Sequence, residues 1–297
     1  FYIRLDGSPN YAMMCNATAA ILNILLNYIF IFEFGWGMMG AAFATSLGTV
    51  VGGLMTLVYL MHYSHDLRLY RIKLSRKSLR MTFRNIGYMV KLGNSAFVSE
   101  ASIACMMFLG NYVFIRNLGE DGVAAFSIVC YFFPIIFMVY NAIAQSAQPI
   151  ISYNFGAGQP ERIRKALRLS LRTALICGIC FFILTTLCCR NIVALFIDRS
   201  YSAFDIAVNG IPYFGIGFIF FAINMIGIGY YQSIERGQRA TIITLLRGVV
   251  FMLIGFFVLP PILGVPGIWL AVPSAELLTT LYIIGIYFKD RFIVRRR

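Results

Sequence analysis

The chain alternates long apolar stretches with short polar ones. Eight apolar stretches, near 11–32, 38–61, 94–115, 122–146, 170–189, 208–230, 241–262 and 267–288, are each long enough to cross a bilayer. A helix advances about 1.5 Å per residue, so roughly 20 apolar residues span a hydrocarbon core about 30 Å thick. One such stretch would suit a buried core helix, but eight cannot all be interior to a soluble domain of 297 residues. Barrel strands fit worse, because the stretches are twice too long and do not alternate polar with apolar. Helices satisfy their own backbone hydrogen bonds, which lipid cannot do for them. The pattern predicts an all-α polytopic membrane protein with eight transmembrane helices.

Composition agrees. Hydrophobic residues make up 60% of the chain and charged residues 12%, against about 25% charged in soluble proteins, and the mean hydropathy is +0.78. The net charge of +13 would suit nucleic acid, but its placement argues for membrane topology. Of the 25 Lys and Arg residues, only Arg116, Arg190 and Arg199 fall on one side of the predicted membrane. The other side has Arg4, the basic residues from Arg68 to Lys91, those from Arg162 to Arg172, Arg236, Arg239 and Arg247 around the turn before the seventh span, and Lys289 to Arg297. The positive-inside rule then places both termini in the cytoplasm and requires an even number of spans. A multi-pass protein of the plasma (inner) membrane is expected, with the bilayer as partner and no nucleic acid.

Three polar or reactive features carry little chemistry. The connector 62–93 interleaves leucines, Ile72, Met81 and Phe83 with basic residues, as an amphipathic helix on the cytoplasmic leaflet would. His62, His65 and Asp66 within it sit at loose helical spacing with no further ligand nearby, so a solvated connector is the expectation and no metal site is assigned. All seven cysteines lie in apolar stretches, and Cys177 and Cys180 form a lone pair at CxxC spacing inside a span, where cysteine is a small buried hydrophobe.

A faint internal repeat links the first and last hairpins. Gly7 and Ala12, then Gly37-Met38-Met39-Gly40, then Ala44 correspond to Gly237 and Ala240, then Gly264-Val265-Pro266-Gly267, then Ala271. The repeat divides the chain into 1–61, the last hairpin of a first lobe, the connector 62–93, and 94–297, a complete six-helix lobe. Four helices would then be missing ahead of Phe1. An even-numbered repeat gives parallel halves related by an axis along the membrane normal, with substrate bound between them.

The residues Arg4-x-Asp6-Gly7-x-Pro9, Asn23-x-x-x-Asn27 and Gly37-x-x-Gly40-Ala41-Ala42-x-Ala44-Thr45 resemble the fifth and sixth helices of the multidrug and toxic compound extrusion (MATE) family. The run from Gln148 through Pro149, Ser152, Asn154 and Gly156 to Gly158, followed by Arg162, is similar to that family's loop after its eighth helix, and is the more specific motif. The resemblance covers essentially the whole chain. It implies helices five to twelve of a twelve-helix, two-lobe transporter with parallel six-helix repeats. It also implies export of organic, often cationic, amphipathic drugs against inward H⁺ or Na⁺, with no cofactor and no enzyme chemistry. A monomer is expected.

Two acids lie within the apolar stretches. Glu100 is in the third span beside Ser99 and Ser102, with Asn94 six residues earlier. A carboxylate at that depth is costly unless paired, hydrated or protonated, which makes it functional by default. Its position matches a cation-site Glu of the family, so Glu100 is the expected coupling residue, with a Na⁺ near it as one option. Glu276 follows Pro273-Ser274 in the last span, where proline frees a carbonyl and the two could line a cavity together. Asn23, Asn27 and Thr45 match a cation site of the amino-terminal lobe, but the family commonly has Asp where Asn27 stands, and an amide releases no proton. Asn224 in the sixth span is a candidate partner of Glu100. Gln145 and Gln148 end the fourth span, and Pro134 is expected to kink it.

The alternatives are a flippase for a lipid-linked precursor, a membrane-embedded enzyme and a passive channel. A flippase needs a cationic cavity for a diphosphate, and no mid-membrane Arg or Lys is evident. An enzyme needs a catalytic cluster, and both histidines sit in one connector.

Overall fold

The computed structural model describes residues 3, 6–64 and 75–295. The described residues form helices: α1 (Pro9–Tyr28), α2 (Gly37–Val58), α3 (Arg76–Gly156), α4 (Pro160–Leu187), α5 (Cys189–Ala194), α6 (Ser202–Gly215), α7 (Gly217–Ser233), α8 (Gly237–Leu245), α9 (Phe251–Leu263) and α10 (Val265–Arg295). No strand occurs among the described residues. Five-residue π-helical segments extend α1 (Ile29–Glu33) and α2 (Tyr59–Tyr63) and join α8 to α9 (Leu246–Val250).

Among the described residues six helical segments are long and apolar enough to cross a membrane, and the pair α6–α7, bent by 42°, makes a seventh if it is one span. The segment Gly93–Gly156 is 64 residues long, which at 1.5 Å per residue is about 96 Å and far exceeds one bilayer. It is broken at Gly119, whose φ of 68° and ψ of −156° lie outside the helical region; only glycine adopts that conformation without strain. Two arms result, before and after Gly119, and they fold face to face, with Phe114 stacked on Phe126 at 4.6 Å. The turn at Gly119 falls between the third and fourth apolar stretches. The backbone stays helical through Pro134 and Pro149.

The chain divides into two compact units, Phe1–Arg80 and Met81–Arg297, and the division falls within the 62–93 connector. In the first unit α1 packs on α2. Small residues bring the backbones close: a Cβ on Gly48 would sit 2.9 Å from the Ala19 carbonyl, the contact that membrane helices use in place of a hydrophobic driving force. Asp6, 5% exposed, accepts a hydrogen bond from the Tyr59 hydroxyl at 2.9 Å, which ties the motif ahead of α1 to the end of α2. Arg4, His65 and Asp66 lie outside the described residues. The part of α3 from Met81 to Val90 is exposed all round, as a surface helix is.

The second unit has a core of aromatic side chains. Phe133 and Tyr140 from the rear arm of α3, Phe214 from α6, Phe218 and Phe221 from α7, and Trp269 from α10 are all buried. Tyr140 donates its hydroxyl to the Phe218 carbonyl at 3.0 Å. The run after Gln148 closes the turn between α3 and α4, and Ser152 docks it on α7 by donating to the Ser233 carbonyl at 3.1 Å. The two hairpins matched in sequence also behave alike. Gly40 and Ala44 of the first and Gly267 and Ala271 of the last are buried at equivalent positions. Each second helix starts at a glycine with positive φ, Gly37 at 52° as the first residue of α2 and Gly264 at 64° just before α10.

A buried charge cluster as candidate functional site

Arg247 sits at the second position of the π-helical segment between α8 and α9. It lies ten residues beyond Gly237, so it is about 15 Å along this helix rather than at the turn before it. It is 2% exposed. The absence of a basic residue within the spans, expected from the sequence, is therefore corrected. Hydropathy hid it, because a single Arg in an otherwise apolar stretch leaves the window average high.

Around Arg247 the unit gathers an acid, a thioether and an aromatic ring, although the arginine Nε makes no hydrogen bond of good geometry. Its Nε faces Oε1 of Glu276 on α10 at 3.2 Å, an ion pair. Its Nη1 donates to the Met225 sulfur at 3.2 Å. Its guanidinium lies over the Phe221 ring, 4.7 Å from the centroid. Phe221 and Met225 are four residues apart on α7 and so share a face. Asn224 on the same helix donates to Glu276 Oε2 at 2.6 Å and to the Glu276 carbonyl at 2.8 Å. Thr280 donates to Asn224 Oδ1 at 2.9 Å. Glu276 is 3% exposed and Asn224 fully buried. Each carboxylate oxygen faces a donor, as burial of a charge requires.

The expected site residues fall into three places. Asn224 and Glu276 are together, so Asn224 is a partner of Glu276 and not of Glu100. Glu276 is buried against α7 and the helix of Arg247. Glu100 and Asn94 are both exposed. The face of α3 that packs into the unit is formed instead by Ser95, Ser99, Ser102 and Met106, spaced at the helical period. Six residues separate Asn94 from Glu100, which puts them about 120° apart around the helix. Ser102 meets the helix of Arg247 directly, since a Cβ on Gly248 would overlap its side chain.

In the first unit, Asn23, Asn27 and Thr45 do meet. Asn27 donates to Asn23 Oδ1 and Asn23 to the Thr45 hydroxyl, each at 3.1 Å, and Thr45 donates to the Ala41 carbonyl at 2.9 Å. The trio joins α1 to α2 by hydrogen bonds alone, without a carboxylate. Gln148 donates to Gln232 at 2.8 Å and Gln232 to Ser95 at 2.8 Å, a chain that joins the two arms of α3 through α7. Gln145 takes no part in it. The described residues hold no group of three His, Cys, Asp or Glu able to bind a metal. Cys177 and Cys180 are free thiols.

Known proteins agree with this architecture. The MatE family model matches residues 95–265, more than half of the chain. The multidrug export protein MepA of Staphylococcus aureus is 25% identical over 304 residues, covering 99% of this chain and 63% of MepA. MepA of Staphylococcus saprophyticus is 25% identical over 301 residues with the same coverage. The chain thus spans less than two thirds of the length of these relatives. Among solved structures, an outward-facing multidrug resistance MATE family transporter of the MOP superfamily superposes with a TM-score of 0.86 at 21% identity, over 99% of this chain and 65% of its own. A MOP superfamily transporter from Pyrococcus furiosus gives 0.85 at 20% identity, over 98% and 64%. At those identities the likeness shows the fold. The family is one of transporters rather than enzymes, and its matching model settles the membership: this chain is a multi-pass membrane protein that belongs to the MatE family, the multidrug and toxic compound extrusion transporters.

Proposed function

We propose that this protein exports organic, often cationic, amphipathic drugs by alternating access, driven by inward movement of H⁺ or Na⁺ across the inner membrane, with both termini cytoplasmic. The observation that carries the reading is a carboxylate, a guanidinium and an amide enclosed together inside a helical membrane unit of MATE fold. Ionisable groups at membrane depth are costly and mark ion or substrate pathways. The multidrug export function of the MepA relatives supports the choice of substrate. Glu100 stands outside the enclosed cluster with a free carboxylate face, and we assign it the contact with the coupling ion. Asn23, Asn27 and Thr45 line the first unit's part of the pathway as hydrogen-bonding groups. The chain works as a monomer divided at 1–61, 62–93 and 94–297.

A flippase reading gains nothing from Arg247. Its guanidinium is enclosed and neutralised by Glu276, so it is not free to hold a diphosphate. The test is dye efflux in everted vesicles carrying the protein, driven by a pH gradient alone and by a Na⁺ gradient alone. Efflux is expected with one of them, and Glu100→Gln is expected to abolish it while membrane insertion stays normal. Unchanged efflux in that variant removes Glu100 from the mechanism.

A further inference from the structure

We infer that the Arg247–Glu276 pair is a proton-operated latch within the second unit, and that this site takes H⁺ and not Na⁺. The inference rests on the reading of the protein as a cation-coupled exporter and names the ion for one site. Sodium, like other hard cations, needs a shell of oxygen acceptors. Both oxygens of Glu276 already face groups of the chain, Oε1 the Arg247 guanidinium and Oε2 the Asn224 amide N–H, and the amide oxygen of Asn224 accepts from Thr280, which leaves no room for a full shell. The place a metal cation would occupy beside the carboxylate is filled by the chain's own guanidinium. A proton needs no shell. It adds to a carboxylate oxygen, converts Glu276 to the neutral acid and leaves Arg247 charged, because a guanidinium does not give up its proton.

The charge of the cluster then changes from zero to plus one. Burial tolerates the first state and not the second, since a buried charge without a counter-ion is strongly disfavoured. Facing Glu276, the titratable or charged groups are Arg247 from the helix of α8 and α9 and Tyr140 from the rear arm of α3, near enough to feel its charge. Tyr140 donates to the Phe218 carbonyl. From α6 the charged residue is Asp205, which is exposed. None of these supplies a replacement anion for Arg247.

The backbone under Arg247 provides the moving part. A π-helical segment carries one extra residue within an α-helix and is a common feature of functional sites. If the extra residue is lost or migrates, the helix on one side turns by about 100° relative to the other, the angle of one residue. Arg247 lies inside such a segment, Leu246–Val250, and the next residue, Gly248, packs on Ser102 of the arm that carries Glu100. Protonation of Glu276 therefore acts on the helix that touches the Glu100 arm.

Two measurements test this. In purified protein, a pH-difference infrared spectrum should show a carboxylic-acid C=O band that is absent in Glu276→Gln, and added Na⁺ should leave the band unchanged. Suppression of the band by Na⁺, or its survival in Glu276→Gln, overturns the latch. Because the single variant leaves Arg247 charged and unpaired in the interior, the charge-neutral pair Arg247→Met with Glu276→Gln is the second test. It should fold and lose pH-gradient-driven efflux. Efflux by that double variant with the parent's pH dependence overturns the inference while leaving cation-coupled export intact. Absence of efflux from the parent protein under either gradient would instead overturn the exporter reading on which the latch rests.

Discussion

The Arg247–Glu276 pair makes unequal predictions for its two halves. At 3.2 Å and an effective dielectric of 20, the Coulomb attraction is about 5 kcal/mol. Desolvation of both ions offsets much of it, so the pair adds little net stability, but either partner alone is costly. Removing one member of such a pair costs about 3–5 kcal/mol, whereas replacing both by neutral groups of similar volume is close to neutral. The halves differ in how the survivor responds. Arg247→Met leaves a carboxylate that can bind a proton and become neutral. Glu276→Gln leaves a guanidinium that cannot. Arg247→Met should therefore lie near the lower end, about 3 kcal/mol or less at acidic pH, and become more destabilising as pH rises and the buried acid is forced to ionise. Glu276→Gln should lie near the upper end, about 5 kcal/mol, with little pH dependence. Reversible unfolding in mixed micelles with increasing SDS, followed by circular dichroism, gives all four corners of the cycle. The coupling energy should be about 3 kcal/mol or more. The argument fails if both single variants cost under about 1 kcal/mol, if Arg247→Met shows no pH trend, or if the double variant is as unstable as the sum of the singles.

Other expectations follow from packing and hydrogen bonding. Gly255→Ala places a Cβ 2.5 Å from the Ala271 carbonyl between α9 and α10 and should cost about 1–3 kcal/mol, while Gly285→Ala, with nothing within 4 Å, should stay within about 0.5 kcal/mol; the same SDS titration compares them. Gln232→Leu removes the bonds to Gln148 and Ser95 and should cost about 1–3 kcal/mol, seen as faster amide exchange where the two arms of α3 meet α7.

The fold was legible because lipid imposes one solution on the backbone. Each apolar stretch read from the sequence falls on a helix, since an unpaired backbone group in hydrocarbon has no other remedy. Glycine patterning carried further than that. The matched Gly40/Ala44 and Gly267/Ala271 are buried alike in two separate hairpins, because close helix crossings select small residues. The sharp departure from helix, at Gly119, falls in the short segment between the stretches 94–115 and 122–146. Proline disturbs one hydrogen bond and leaves the helical direction available, whereas a φ of 68° ends it.

The site was legible only as a list of costly residues, not as a set of partners. Glu276 and Asn224 were both singled out for their polarity at depth, but 52 residues separate them in sequence and nothing in the local pattern joins them. Arg247 was assigned to the cytoplasmic turn because charge was counted by proximity to polar residues such as Arg236 and Arg239. The signal that could have placed it was electrostatic rather than local. One buried acid in the last span with no basic residue opposite it leaves an unpaired charge, and Arg247, the arginine deepest into an apolar stretch of a neighbouring span, is the residue able to answer it. The same reasoning separates the two acids. Glu276 has its counter-ion inside the unit, so its charge is already balanced there; Glu100, exposed on the opposite side of the Ser95–Ser99–Ser102 face, has none within the cluster. The contact of Gly248 with Ser102 sets the helix of Arg247 directly against the arm that carries Glu100.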